Sequence, residues 1–480
     1  MRKLALALAF GLAPAAAVHA QDAAPRNVIM ILSDDHRYDF MGFAPGAPDF
    51  LETPHFDRMA AGGLHIANAF VTTSLCSPSR ASIYTGQYAH RHGVVDNTSG
   101  IPPGTVFFPQ LLQRAGWRTA FIGKWHMGED VDDPRPGFDH WVGFRGQGVY
   151  HDPVLNVDGR RGQVEGYTTD ILTQHAIDFL DRHRRESGQQ PFFLVLSHKA
   201  VHAEFEPAER HAGKYSDVAI PYPATMPKTE SNLRGQPRWV RAQRNSWHGV
   251  DFAYHGQFDF DTFYRRYAET TLALDESVGR VLDWLERNRM GESTLLLYLS
   301  DNGFSLGEHG LIDKRHAYEE SIRIPMIAWG PGLVPAGARA TDLVRNIDIA
   351  PTILELAGVQ PTTVMDGRSV LPVLRGERME AAGEFLYEYY WEHAFPHTPT
   401  TFALRGDRFK YIYYHGVWDD QELFDLGNDP LEQHNLVHLP AYQDTVRAMR
   451  TRLWDTLEAA DAMRVPMRRG DWQACEKLVG

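Results

Sequence analysis

Cys76 heads the segment Cys76-Ser77-Pro78-Ser79-Arg80, which continues through Ala81 and Thr85 to Gly86. A proline in the first turn and a glycine just past the end predict one short helix. The helix start would offer free N–H groups and the positive end of the dipole, so a nucleophile at Cys76 is placed to meet an anionic substrate. Other groups with chemical capability are spread along the chain: Asp34-Asp35, Lys124 and His126, His198-Lys199 and His202, Asp301-Asn302, and Lys314. Singly, each has a plain structural explanation, such as a helix cap, a solvated surface or a satisfied core histidine.

What sets them apart is where they fall. Four apolar runs, Asn27 to Ser33, Trp117 to Gly123, Pro191 to Ser197 and Thr294 to Ser300, each end in such residues. Runs of this kind suit parallel strands buried on both faces. Helical patterns lie between them: Thr53 to Gly62, Thr168 to Arg185, and Tyr264 to Asn288 with Leu272, Val278, Leu282 and Leu285 on one face. Strands alternating with helices predict an α/β fold with a large, mostly parallel central sheet flanked by helices. Ligands bind such sheets beyond the carboxyl ends of the strands, so four capable strand ends argue for a single site.

Two regions depart from this rhythm. Between His202 and Tyr264, prolines punctuate a stretch carrying Trp239, Arg241, Arg244, Trp247 and His248. A long irregular insertion is either a binding loop, here suited to a sugar bearing anionic groups, or a surface excursion. After Arg375-Gly376, the runs Phe385 to Trp391, Thr401 to Arg405 and Phe409 to Tyr414 predict short strands, followed by a helix from Tyr442 to Ala459. This predicts a small C-terminal antiparallel sheet with a packed helix. The expected division is residues 1–20 as a signal peptide, 21–375 as the catalytic domain and 376–480 as the C-terminal subdomain.

The signal peptide rests on Arg2-Lys3, the apolar run Leu4 to Ala17, and Val18-His19-Ala20 before Gln21. The run is too short for a membrane span, which predicts an exported, periplasmic protein without stable membrane insertion. A net charge of -13 excludes a general nucleic-acid binder. In an oxidising compartment the only two cysteines, Cys76 and Cys475, could form a disulfide.

Taken together, the motifs resemble the type I sulfatases of the alkaline phosphatase superfamily. They include Cys76-Ser77-Pro78-Ser79-Arg80 with Thr85-Gly86, Ser33-Asp34-Asp35, Thr53-Pro54 with Asp57, and Gly123-Lys124-Trp125-His126. Gly137-Phe138-Asp139, Ser300-Asp301-Asn302-Gly303 and the run from Lys314 through Tyr318 to Pro325 follow in the family's order, as does Glu422 to Leu436. The resemblance implies that a separate maturation enzyme oxidises Cys76 to Cα-formylglycine, which argues against the disulfide and leaves Cys475 without an intramolecular partner.

It further implies that Asp34, Asp35, Asp301 and Asn302, with the matured Cys76, hold a cation. Hard oxygen donors suit Ca²⁺ ahead of Mg²⁺. Arg80 and His126 would hold the hydrated aldehyde, and Lys124 and Lys314 would bind sulfate. By analogy one aldehyde hydroxyl attacks sulfur, the alcohol leaves, and His126 deprotonates the second hydroxyl to release sulfate. His202, with Lys314 alongside, is the expected acid for the departing alcohol, and His198 competes for that role. His309 either contacts substrate or orders its loop. The expected activity is hydrolysis of sulfate esters, with sulfated glycans as substrates. Its rivals are a phosphodiester or phosphonate monoester hydrolase of the same superfamily and a non-catalytic sulfated-glycan binder.

Overall fold

Four strands lie side by side at the centre of a ten-stranded sheet: β1 (Asn27–Ser33), β2 (Arg118–Lys124), β3 (Phe192–Ser197) and β4 (Thr294–Ser300). Their spatial order is β4-β1-β3-β2, and all neighbours are parallel. A fifth parallel strand, His140–Phe144, pairs with β2. Beyond it an antiparallel hairpin, Val154–Val157 and Arg160–Gln163, closes one edge. On the other side Met326–Trp329 runs antiparallel to β4, followed by Leu64–Ile66 and Ala338–Ala340. The computed structural model describes residues 27–128, 131–380, 383–416 and 420–464. The expected signal peptide at residues 1–20, and Cys475, lie outside them.

The apolar runs form strands because both faces are covered. Val28, Met30 and Leu32 of β1 point into one core, and Ile29 and Ile31 into the other, as the pleat requires. Helices Thr168–Ser187 and Phe260–Arg287 cover the second face through Leu172, Phe179, Leu180, Val278, Leu282 and Leu285. Helices Cys76–Thr85 and Ile349–Leu356 cover the first through Ile83, Tyr84, Ile353 and Leu354. Each such buried aliphatic side chain contributes about 1.5–3 kcal/mol. These cores hold the strand ends in fixed relation.

The three expected C-terminal strands are present as Glu384–Tyr389, Thr401–Gly406 and Phe409–Tyr414, and Gln421–Asp425 joins them as a fourth antiparallel strand. One face, with Phe385, Tyr387, Ile412 and Phe424, joins the main core. The other, with Leu386, Leu404 and Leu423, packs against Val446, Met449 and Leu453 of the helix Gln443–Ala459. Among the described residues no helix is long and apolar enough to cross a membrane.

Candidate active site

Parallel pairing of β1 with β4 aligns Ser33 with Ser300, so the residues that follow them emerge together. Asp34, Asp35 and Asp301 each bring an oxygen within 4.8 Å of the others. The Asp35 backbone N–H donates to Asp301 Oδ1 at 3.2 Å, and Asn302 Nδ2 donates to Asp35 Oδ1 at 2.6 Å. Asp35 takes a left-handed backbone (φ 60), uncommon for a non-glycine residue and held here by the Tyr267 hydroxyl, which donates to its carbonyl at 2.6 Å.

Three cations answer the three carboxylates. Arg80 Nη2 donates to Asp34 at 2.9 Å and Nε to Asp301 at 2.8 Å, while Nη1 reaches the Lys124 carbonyl and the Ser197 hydroxyl. Lys124 Nζ, from the end of β2, pairs with Asp34 and donates to Gln147 Oε1 at 2.5 Å. Lys124 reaches this point because Gly123 (φ 120) lets β2 approach β3: a Cβ there would lie 1.7 Å from the Ser197 carbonyl oxygen. Lys314 Nζ donates to Asp35 at 2.5 and 2.7 Å and to Cys76 Sγ at 3.2 Å. Burial would raise Asp34, but Lys124 and its neighbouring cations hold it well below the usual carboxylate range. At Asp301 burial and then Asp34 prevail, pushing it up to about 7.

The helix Cys76–Thr85 delivers both Cys76, its first residue, and Arg80, one turn on. It ends at Gly86 in the left-handed conformation, as expected of a glycine past the last turn. Cys76 is fully buried, with Sγ 3.4 Å from Asp34 Oδ1. Burial, then Asp34, pushes its thiol up to about 12, so an unmodified sulfur here keeps its proton and is a poor nucleophile. His126 is buried beside the Ser77 hydroxyl, 3.4 Å from Nδ1; burial and then Lys124 hold the ring neutral. His202 joins Asp34 and Cys76 within 4.8 Å, and its Nε2 is 3.9 Å from Asp35.

The acidic cluster fits a hard divalent cation. Its donors are all oxygens, and Asn302 Oδ1 is buried with no hydrogen-bond partner, an acceptor left for a metal. Three carboxylates and three cations balance, so a bound divalent ion would leave the cage positive towards a sulfate ester. A cavity of about 530 Å³ opens above it, lined by Asp35, Lys314 and His202 and by Asn97, Gln147, Tyr150, Lys199, His248, Arg315 and Phe395, among others.

A family model for sulfatases matches residues 26–359, and one described as N-sulphoglucosamine sulphohydrolase, C-terminal, matches residues 307–459. The chain belongs to the sulfatase family. This makes it a sulfuric ester hydrolase by class. It is 32% identical to an N-acetylglucosamine-6-O-sulfatase of Bacteroides thetaiotaomicron, over 90% of this chain and 86% of that one. It is 30% identical to the human N-acetylglucosamine-6-sulfatase, over 76% and 67%. A solved structure in complex with its substrate, D-glucosamine-2-N,6-O-disulfate, superimposes with a TM-score of 0.84 at 30% identity, covering 93% of this chain and 100% of that one.

The sulfatase brings Asp34, Asp35, Cys76, Arg80, Lys124, His126, His202, Asp301, Asn302 and Lys314 into one place and leaves two alternative candidates outside it. His198 is buried beneath, with Nε2 3.0 Å from the Ser277 hydroxyl of the long helix. His309, for which substrate contact and loop ordering were both open, lines a separate small cavity with Glu422 and Glu432 and stacks on Tyr318 at 4.0 Å. Of the insertion, Trp247 and His248 reach the site cavity. Trp239 is instead core, packed on Tyr414, and Arg244 is tied to Asp251 and the Met226 carbonyl. Sequence reasoning missed Asn97, which accepts from the Ser77 backbone at 3.1 Å, and Gln147 and Arg315. Only Arg315, adjoining Lys314, carried any signal.

Proposed function

We propose that this sulfatase removes a 6-O-sulfate from a glucosamine unit of a sulfated glycan. Cys76 oxidised to Cα-formylglycine is the nucleophile, and Ca²⁺ held by Asp34, Asp35, Asp301 and Asn302 is the metal. The observation that carries this is the meeting of Cys76, Asp34 and His202 within 4.8 Å beside an open cavity, with Lys314 3.2 Å from the sulfur. The sugar is supported by the 6-O-sulfatase named among the relatives and by the disulfated glucosamine bound to the solved neighbour. The bound cation would supply Lewis-acid polarisation of the sulfate, and flexible oxygen donors favour calcium over magnesium. A hydrated aldehyde supplies two hydroxyls where a serine has one.

The chain's own side chains do the rest. Lys124 and Lys314 neutralise the charge of the sulfate group in flight. Arg80 fixes the carboxylates of Asp34 and Asp301. His126, held neutral, takes the proton of the second hydroxyl at its free ring nitrogen. His202 Nδ1 lies 2.5 Å from the Ala203 carbonyl, which can only accept, so the Nδ1 proton is fixed there. Burial, then Lys314 and Lys124, keep the ring neutral before substrate arrives, so Nε2, facing Asp35 and the cavity, must first take up a proton from solvent and then passes it to the departing alcohol oxygen. A sulfate ester in the cavity raises the affinity of His202 for that second proton. The same proposal includes a separate maturation enzyme, a signal peptide at residues 1–20 with export to the periplasm, and a division at 375/376. The separate sheet that begins at Glu384 supports that division.

Peptide mass spectrometry of protein from its native host, paired with sulfate release from N-acetylglucosamine 6-sulfate, tests this. An aldehyde at position 76 and release of sulfate are expected. Full activity with the sulfur of Cys76 intact would falsify the nucleophile. Faster turnover of a phosphate diester than of a sulfate with the same leaving group would overturn the sulfate specificity.

A further inference from the structure

One buried cation on the cavity wall has no part in the chemistry above. Lys199, two residues past β3, is only 5% exposed yet lines the 530 Å³ cavity. Of its three N–H groups, one donates to the Ala203 carbonyl at 3.3 Å, and the ammonium lies 4.8 Å over the Tyr150 ring. Among the described residues no carboxylate stands within ion-pair distance of it, whereas Arg80, Lys124 and Lys314 each have one. The acids that share its wall are engaged elsewhere: Asp35 with Lys314, and Asp313 and Glu392 with Arg315 at 2.9 and 2.8 Å. Glu204 and Glu206 are solvent-exposed. A buried ammonium without a counter-charge is costly, and burial, then Lys124, draws it down to about 8.

Its location narrows the ligand. The Ala203 carbonyl that accepts from Lys199 also accepts from His202 Nδ1. The ammonium therefore stands beside the imidazole that serves the leaving group. In the function proposed above, charge on the transferred sulfate is met by Lys124, paired with Asp34, and by Lys314, 3.2 Å from the Cys76 sulfur. An anion at Lys199 must belong to the alcohol half of the ester.

We propose that Lys199 is a specificity residue that binds a second anionic group, a sulfamate or a carboxylate, on the glycan being desulfated. This rests on the sulfatase function proposed above. It makes the cavity a reader of two negative charges, one of which is cleaved and one of which stays.

The test compares matured wild type with Lys199→Met and Lys199→Arg. The substrates are N-sulfoglucosamine 6-sulfate, N-acetylglucosamine 6-sulfate, and the latter linked to a uronate. Wild type is expected to favour an anion-bearing substrate in kcat/KM, and which one it favours tells sulfamate from carboxylate. Lys199→Met is expected to reduce that preference about 10- to 100-fold, the strength of a hydrogen bond to a charged group. Lys199→Arg should retain part of it. Equal losses on all three substrates, or a shifted pH profile with an unchanged preference, would show a packing or His202-positioning role and overturn the proposal. Should Lys199→Met not fold, competitive inhibition of wild type decides: tighter binding of N-sulfoglucosamine or glucuronate than of N-acetylglucosamine supports the subsite, and equal binding of all three overturns it. Failure of the sulfatase function would look different, with no sulfate released from any substrate, a simple aryl sulfate included, and would overturn both.

Discussion

Two of the clusters of buried ionised side chains among the described residues end differently. At the strand ends, Asp34, Asp35 and Asp301 face Arg80, Lys124 and Lys314 beneath a cavity of about 530 Å³. Behind the small sheet, Lys410 meets Glu432 at 2.6 Å, Glu319 at 3.1 Å and the Ala317 carbonyl at 2.7 Å. There Arg405 pairs with Glu319, and Tyr318 and Tyr414 donate to Glu422. The cavity beside this second cluster is about 10 Å³, room for one water at most. Its surplus acid is met by protons, since burial pushes Glu422 up to about 8. The first cluster is balanced before any ion arrives and keeps an unpartnered Asn302 oxygen. Buried charge alone therefore does not mark a site; an open mouth and an oxygen left for a metal do.

The sharpest way to break this contrast is to remove one lysine from each cluster. Lys314→Met should lower kcat/KM on a 6-O-sulfated sugar about 10²- to 10³-fold, the cost of losing a cation aimed at developing charge. Its melting temperature should move little, because a bound cation still answers Asp35. Lys410→Met should do the reverse, costing about 3–5 kcal/mol of stability by stranding Glu319 and Glu432. The protein that remains folded should turn over nearly as wild type. Thermal melts and kinetics on the same preparations decide it, and equal activity losses would dissolve the distinction.

His202→Gln sharpens the role of the open cluster. General acid catalysis contributes about 10²-fold or more when the leaving group is a poor one such as a sugar hydroxyl. With a nitrophenyl sulfate, whose phenolate leaves unaided, the loss should shrink to less than about 10-fold. A loss independent of leaving group would move His202 from proton donor to positioning.

Chelation separates the clusters by ion demand. Removing divalent cations should lower the melting temperature by a few degrees and adding Ca²⁺ should restore it, in wild type and in Lys410→Met alike. Burial, then Asp34, pushes Asp301 up to about 7. Below that pH a cation must displace a proton, so the Ca²⁺-induced gain should fall as pH drops through 7 and persist above it. Differential scanning calorimetry across pH 5.5 to 8.5 reads this directly, and a gain that rises on acidification would place the ion elsewhere.

Much of the open cluster was legible because its residues sit where apolar runs stop. Parallel strands hide both faces, so a run such as Asn27–Ser33 announces its own end, and the acids at that end inherit a position. The edge hairpin, a short Val154–Val157 strand followed by the exposed polar Arg160–Gln163, carries no such signal and was not foreseen. Nor were Asn97 and Gln147, which come from loops whose approach to the site is set by packing far along the chain. Lys199 was visible only as a neighbour of the two competing histidines. That His202 reaches the cavity and His198 does not follows from the strand's pleat and the long helix beneath it.

His309 is the instructive case, since nearness in sequence to Asp301-Asn302 left substrate contact and loop ordering equally open. Past Phe304 the chain turns at Gly307 (φ 106) and at His309 itself (φ 55), which carries the imidazole towards the closed cluster. There the ring stacks on Tyr318, its Nε2 has no hydrogen-bond partner, and burial draws it down to about 3. His309→Phe keeps the stack and gives up no bond at Nε2, so stability should change by no more than about 1 kcal/mol. Turnover of a 6-O-sulfated sugar should stay within about 3-fold, the range left to a side chain that touches neither substrate nor metal. A loss of about 30-fold or more with the melting temperature unchanged would mean that His309 reaches the substrate, and that the cluster behind the small sheet is not closed at all.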